Sequence, residues 1–104
     1  MRVGQLLGVA HRDTAAARDS WRRALAIDPA FVSAGLNLAR LDAPAGRLAD
    51  ARSTLEALLV HAPEDADALS LLVRVQRAQG DAAAAQATLA RLAAVDPARA
   101  AELQ

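Results

Sequence analysis

The side chains of this chain that could do chemistry are few, and most of them are arginine. All twelve basic residues are Arg, and they are balanced by twelve Asp and Glu. A guanidinium stays charged and offers a planar fork of donors that matches a carboxylate, so the chemistry it supports is recognition. Arg40 and Arg74 stand 34 residues apart. The two histidines, His11 and His61, are 50 residues apart, and there is no Cys. That removes thiol nucleophiles, disulfides and Cys-based zinc sites, and it leaves no His pair at metal-ligand spacing. His61 reads instead as a residue that interacts favourably with the C-terminal end of its helix. The acidic run Glu64-Asp65-Ala66-Asp67 falls at a helix start, where the macrodipole accounts for it without a calcium site. No Gly-rich phosphate loop and no Ser–His–Asp arrangement is present. The expectation is therefore no catalytic residue, no cofactor, no metal site and no enzyme.

Such side chains need a frame, and composition limits which. A chain of 104 residues supports one small domain. Hydrophobic residues make up 54% and aromatics only 2%, with Trp21 and Phe31 the whole aromatic set. The core must then be Ala, Leu and Val, which suits closely packed helices. Net charge is zero, so nothing draws the chain toward nucleic acid or an anionic membrane. No apolar run approaches the roughly 18 residues of a membrane span. The opening, "MRVGQLLGVAHRD", is too short for a signal peptide and lacks a clear cleavage site. It reads as part of the domain or as the cut edge of a longer protein, cytoplasmic by default.

The frame itself is written in a repeat. Pro29, Pro63 and Pro97 are spaced 34 apart, as are Ala17, Ala51 and Ala85, and Trp21, Leu55 and Leu89. The same step of 34 joins Gly46 to Gly80, Leu38 to Leu72, Ala34 to Ala68 and Arg40 to Arg74. Gly46 and Gly80 follow helical stretches, where a left-handed C-terminal cap is needed. Asp81 suits the N-cap of the next helix. Each Pro follows a second helix, and it suits the first turn of the helix after it. Each unit reads helix, Gly turn, helix, Pro turn. Within the second helices, one face carries Leu48, Ala51, Leu55, Leu58 and Leu59. The next unit repeats it with Ala82, Ala85, Leu89, Leu92 and Ala93, and the first with Ala17, Trp21, Ala24 and Leu25. Trp21 is thus expected in the core, and Phe31, just past the first Pro, between neighbouring hairpins.

With "NLARL" then "GRLADARSTLEALLVHAP", and "LLVRV" then "GDAAAAQATLARLAAVDP", the 34-residue helix–turn–helix unit resembles the tetratricopeptide repeat (TPR). The resemblance implies an all-α array of antiparallel helix hairpins in a right-handed superhelix, about 2.5–3 repeats in one domain over 1–104. Residues 1–31 would be a truncated first repeat, 32–65 and 66–99 full repeats, and 100–104 the start of a further helix. The Ala-rich texture is similar to bacterial multi-repeat members linked to polysaccharide export and protein sorting. The first unit departs from the pattern. Leu7 and Gly8 match it, but only four residues separate Gly8 from Asp13, where the family has about seven. A turn at His11 to Asp13, with Asp13 capping the second helix, is the favoured expectation. The alternative is one helix from about Gln5 to Ile27, on which Leu7, Ala10, Thr14, Ala17, Trp21 and Ala24 keep one face. Such a straightened hairpin would borrow a partner's helix. Pro44 should stop its helix by about Asp42. "ARAAELQ" is short for a terminal helix that must cover an apolar face.

The resemblance also implies a concave groove, lined by the first helices of successive units, that holds an extended peptide. Groove-facing positions would be Ser33, Leu36, Asn37 and Arg40, then Asp67, Ser70, Arg74 and Arg77. The Arg side chains could grip carboxylates of an acidic peptide. The basic clamp of the chaperone-tail-binding members is incomplete here. Asn37 fits one place in it, but Asp67 and Leu71 fill others. The expected function is a non-enzymatic scaffold for a protein or peptide partner, with no nucleic acid and no membrane insertion. The alternative is a self-associating module, a homodimer formed by swapping the first helix, or a fragment of a longer array linked to export or assembly.

Overall fold

The computed structural model describes the backbone of residues 2–104 and the side chains from residue 15 onward. Six helices follow one another along these residues: α1 (Arg2–Ile27), α2 (Val32–Asp42), α3 (Leu48–His61), α4 (Ala66–Ala78), α5 (Ala82–Val95) and α6 (Pro97–Leu103). Each packs against the next, and α4 also touches α2 and α6. The fold is the expected all-α array.

The turns answer to the residues that recur. Gly46 has φ of 84° and Gly80 has φ of 78°, the left-handed region where only Gly is unstrained. Both close the same motif. Arg47 N–H donates to the Asp42 carbonyl at 2.9 Å, and Asp81 N–H to the Gln76 carbonyl at 2.9 Å. The Asp81 carboxylate then caps α5 by accepting from Ala84 N–H at 3.2 Å. Helix α2 stops at Asp42, two residues before Pro44, as Pro requires. The prolines of the long step differ in one respect from the expectation. Only Pro97 occupies the first turn of a helix, behind the N-cap Asp96. Pro29 and Pro63 lie in turns three residues ahead of α2 and α4. At Pro63 the cap has moved forward to Asp65, whose carboxylate accepts from Ala68 N–H at 2.9 Å. Asp28 instead accepts from Ala30 N–H at 3.1 Å, which makes a turn and starts no helix. Because Asp96 caps directly, α6 opens at Pro97 and not at 100.

The core lies between α2, α3, α4 and α5. Leu55, Leu58, Leu69, Leu72, Val73, Val75 and Leu92 are all at most 2% exposed. Ala51 and Ala85 are buried one turn before Leu55 and Leu89, so small and large positions alternate as the repeat suggested. The expected apolar face of α5 is narrower than listed by pattern alone. Ala85, Leu89 and Leu92 are buried, whereas Ala82 and Ala93 are exposed, because α5 is covered on one side by α4 and α6. Gly35 marks a close approach that the repeat did not disclose. A Cβ there would stand 3.1 Å from both Leu58 δ-carbons, so α2 and α3 meet at a bare backbone.

Two expectations for the first unit are corrected. No turn forms at His11 to Asp13, since α1 runs unbroken from Arg2 to Ile27. The side chains of Leu7, Ala10, His11, Asp13 and Thr14 lie outside the described residues. Trp21 is not a core residue of the rank of Leu55 and Leu89. It is half-buried, as are Ala17, Ala24 and Leu25. Among the described residues α1 packs on α2 alone, so a second wall is missing. Phe31, at the N-cap of α2, is 43% exposed and only partly a packing residue.

Polar links join one unit to the next. Arg18 Nε donates to Asp42 Oδ1 at 2.7 Å between α1 and α2. Arg52 of α3 reaches Gln79 Oε1 at 3.0 Å and Asp81 Oδ2 at 2.9 Å. Arg18 and Arg52 are again 34 apart. Hydrogen bonding from Arg52, helped by Ala84 N–H, holds the Asp81 carboxyl below the ordinary carboxylate range. A lowered folded-state pKa means stabilisation that is present above the unfolded-state value and lost as pH falls through the folded one. Urea melts from about pH 6 down to about pH 2 should therefore show an acid limb that is shallower in Asp81→Asn than in the wild type. Identical limbs would mean that this carboxylate is uncoupled from folding.

Candidate functional site

Helices α2 and α4 are each walled in by neighbours over most of their circumference, and what remains is a narrow outward stripe. On α2, Ser33 and Arg40 are exposed and Asn37 is half-buried. On α4, Asp67, Arg74, Arg77 and Ala78 are exposed and Leu71 is half-buried. The steps 33–37–40 and 67–71–74 are those of one helical face. This corrects the groove in two places. Leu36 is 7% exposed and Ser70 is 5% exposed, so neither faces it. Each sits one residue off the stripe, which is about 100° around the helix and inside the interhelical contact.

Ser70 is odd even as a core residue, because its buried hydroxyl has no hydrogen-bond partner. Its counterpart one repeat earlier is the apolar Leu36. A buried polar atom without a partner costs free energy, and Ser is a poorer helix former than Ala. Ser70→Ala is therefore expected to stabilise the fold by about 1 kcal/mol. A lower melting temperature would show that the hydroxyl is satisfied in solution.

Between the two stripes lies a cavity of about 280 Å³. Arg40, Ala43, Pro44 and Leu48 form one side, and Leu71, Arg74, Val75 and Ala78 the other. The two arginines stand in equivalent places on α2 and α4, as their spacing of 34 suggested. Neither makes an ion pair among the described residues, in contrast to Arg18, Arg52 and Arg99. Asp67, at the other end of the α4 stripe, is paired with Arg99 of α6. Arg77 shares the exposed last turn of α4 but does not line the cavity.

The apolar lining was not read from the sequence. Ala43 and Pro44 come from the α2–α3 turn and Leu48 from the first residue of α3, so the path around Gly46 decides what they face. The available signal was Leu71, which continues the stripe between Asp67 and Arg74. A second opening, about 330 Å³ beside the α1–α2 turn, is lined by Leu25, Pro29, Ser53, Thr54, Ala57 and Leu58 and holds no ionisable side chain. Among the described residues no three His, Asp or Glu side chains gather as a metal ion would need. No helix among them is long and apolar enough to cross a membrane.

No curated protein matches the chain. A family model described as Tetratricopeptide repeat matches residues 9–68 and again residues 45–104. The second match is offset from the first by 36 residues, close to the step of 34 that runs through the sequence. The two matches together take in the hairpins α2–α3 and α4–α5 and the paired Arg40 and Arg74. With the helical array and its Gly-closed turns, this is sufficient: the chain belongs to the tetratricopeptide-repeat family.

Proposed function

We propose that this chain is a non-enzymatic scaffold that binds a protein or peptide partner through the outward face of α2 and α4. Repeats of this family are generally protein–protein interaction modules. The observation that carries the proposal is the pair Arg40 and Arg74, exposed and without ion-pair partners among the described residues, at the edge of one apolar cavity. Ser33, Asn37 and Arg77 extend the polar part of that face. An Arg fork without an internal partner is ready for a carboxylate from outside. The test is capture of partners from lysate on immobilised wild type and on Arg40→Glu/Arg74→Glu, identified by mass spectrometry. Charge reversal should empty the specific set. An unchanged set in a folded variant would remove this face from the function.

One observation favours a second reading, self-association. Helix α1 is continuous, and its Trp21 and Leu25 are only half covered within the chain. A second copy could supply the missing wall by exchanging this helix. Light scattering behind size exclusion decides it, since a monomer at all concentrations excludes the exchange.

A further inference from the structure

We infer that the cavity beside the α1–α2 turn receives an arginine side chain presented by a protein partner, its stem on Leu25, Ala57 and Leu58 and its guanidinium donating to the Pro29 carbonyl. The repeat supplies the reason. Each residue that lines this cavity has a counterpart 34 positions on: Leu59, Pro63, Ala87, Thr88, Arg91 and Leu92. In that later unit the Arg91 guanidinium of α5 donates to the Pro63 carbonyl at 3.4 Å, a long and exposed bond. Ala57 stands in the place of Arg91, and Arg23 stands there one unit earlier. The middle unit therefore carries Ala between two Arg at the position whose side chain would cover the preceding Pro turn. Among the described residues the Pro29 carbonyl accepts no hydrogen bond, where that of Pro63 accepts from Arg91. The cavity shares no lining residue with the one between α2 and α4, so this inference goes beyond the scaffold proposal and does not depend on it.

The lining suits a hydrocarbon stem with a donor-only head. Leu58 is 1% exposed and Leu25 half-buried, and with Ala57 and the Pro29 ring they offer hydrocarbon. The hydrogen-bonding groups are mostly acceptors. A Pro carbonyl can only accept, and the Thr54 hydroxyl gives its proton to the Asp50 carbonyl at 2.9 Å, so it too is left to accept. The exposed Ser53 hydroxyl can do the same. A guanidinium carries five N–H donors on a planar fork and no acceptor, so it can serve a carbonyl on the turn and a hydroxyl on α3 together. Its methylene stem packs on apolar surface while the charged end stays wet, as an open-sided site requires. A carboxylate would meet acceptors and find no cation in the lining. Asp28, next to Pro29, adds a carboxylate that makes no ion pair among the described residues, and its counterpart one unit on is Ala62.

The test is an NMR titration of the full chain, which reads weak affinities. The probe is acetyl-Gly-Arg-Gly-amide, and its comparison is the same peptide with citrulline for Arg, which keeps the shape and removes the charge. Ionic strength is matched throughout. The probe should shift the amide signals of Ser53, Thr54 and Ala57 and saturate, and the citrulline peptide should bind about threefold or more weakly. Ala57→Arg, at an exposed position, should abolish those shifts with the melting transition retained, because the chain then fills its own site. Arg91→Ala should open the counterpart, so that the probe also shifts Ala87 and Thr88. Equal binding of the two peptides would overturn the inference, as would shifts at Thr54 that persist in Ala57→Arg. The absence of any saturable shift from Ser53 to Ala57, or of the second set in Arg91→Ala, would overturn it too. Shifts of these amides that grow with protein concentration alone would overturn it in favour of a second copy of the chain. The lysate capture with Arg40→Glu/Arg74→Glu judges the scaffold proposal independently of all these results.

Discussion

Leu55→Ala is expected to remove about 2–5 kcal/mol of folding free energy. Leu55 is 0% exposed and belongs to one cluster with Leu58, Leu59, Leu69, Leu72 and Leu89, drawn from α3, α4 and α5. Truncation deletes its methyl groups and leaves a void in a close-packed cluster that relaxes only partly around it. A domain of this size has about 5–15 kcal/mol in all, so the loss is a large part of it. The control is Val60→Ala on the same helix. Val60 is 77% exposed, and its truncation should stay within about 0.5 kcal/mol. Urea denaturation with both midpoint and slope gives the comparison. A Leu55→Ala cost indistinguishable from that of Val60→Ala would refute the core as described.

Arg18→Ala should cost a similar amount, about 3 kcal/mol, for a different reason. Its Nε donates to Asp42 at 2.7 Å, and the Asp42 side chain is only 1% exposed. Removing the cation leaves a buried carboxylate with no other side-chain partner among the described residues. The pair itself is worth far less than the penalty for breaking it, since both groups were taken from water to form it. The double variant Arg18→Met/Asp42→Leu should thus recover most of the loss, and a double-mutant cycle should show strong coupling. Additive effects would mean that the two residues do not meet in solution. The same cycle at Arg52 and Asp81, which are more exposed, should show much weaker coupling.

Much of this architecture was legible because one step, 34, runs through residues with unlike duties. Gly46 and Gly80 are legible since few residues accept positive φ. Pro44 is legible since Pro ends a helix wherever it falls. Helix α1 was misjudged because Asp13 is a good cap in isolation. In its interior place it costs a helix only a few tenths of a kcal/mol, and no Gly stands before it to reward a turn. Leu36 and Ser70 were misplaced by one residue, and on helices walled from several sides one residue separates groove from core. The Arg18–Asp42 pair could not be read from hydropathy, which puts both on the surface. Its trace was nevertheless present. Gln76 stands one repeat after Asp42 and is likewise buried, accepting from the Thr88 hydroxyl at 2.7 Å. The end of each first helix thus carries a buried polar group whose partner is chosen unit by unit. The cavity was the least legible feature, because the path of the α2–α3 turn sets one of its sides.

The way each helix packs also bears on how the chain reaches this state. Among the described residues every helix touches only its neighbours, or the next but one, in the sequence. No segment has to wait for a remote part of the chain, so little loop entropy is lost before contacts form. Either hairpin can nucleate, and the other can condense on it. Folding should then be fast, on the order of microseconds to milliseconds. The last step would be the docking of α1, which has a single helix to land on.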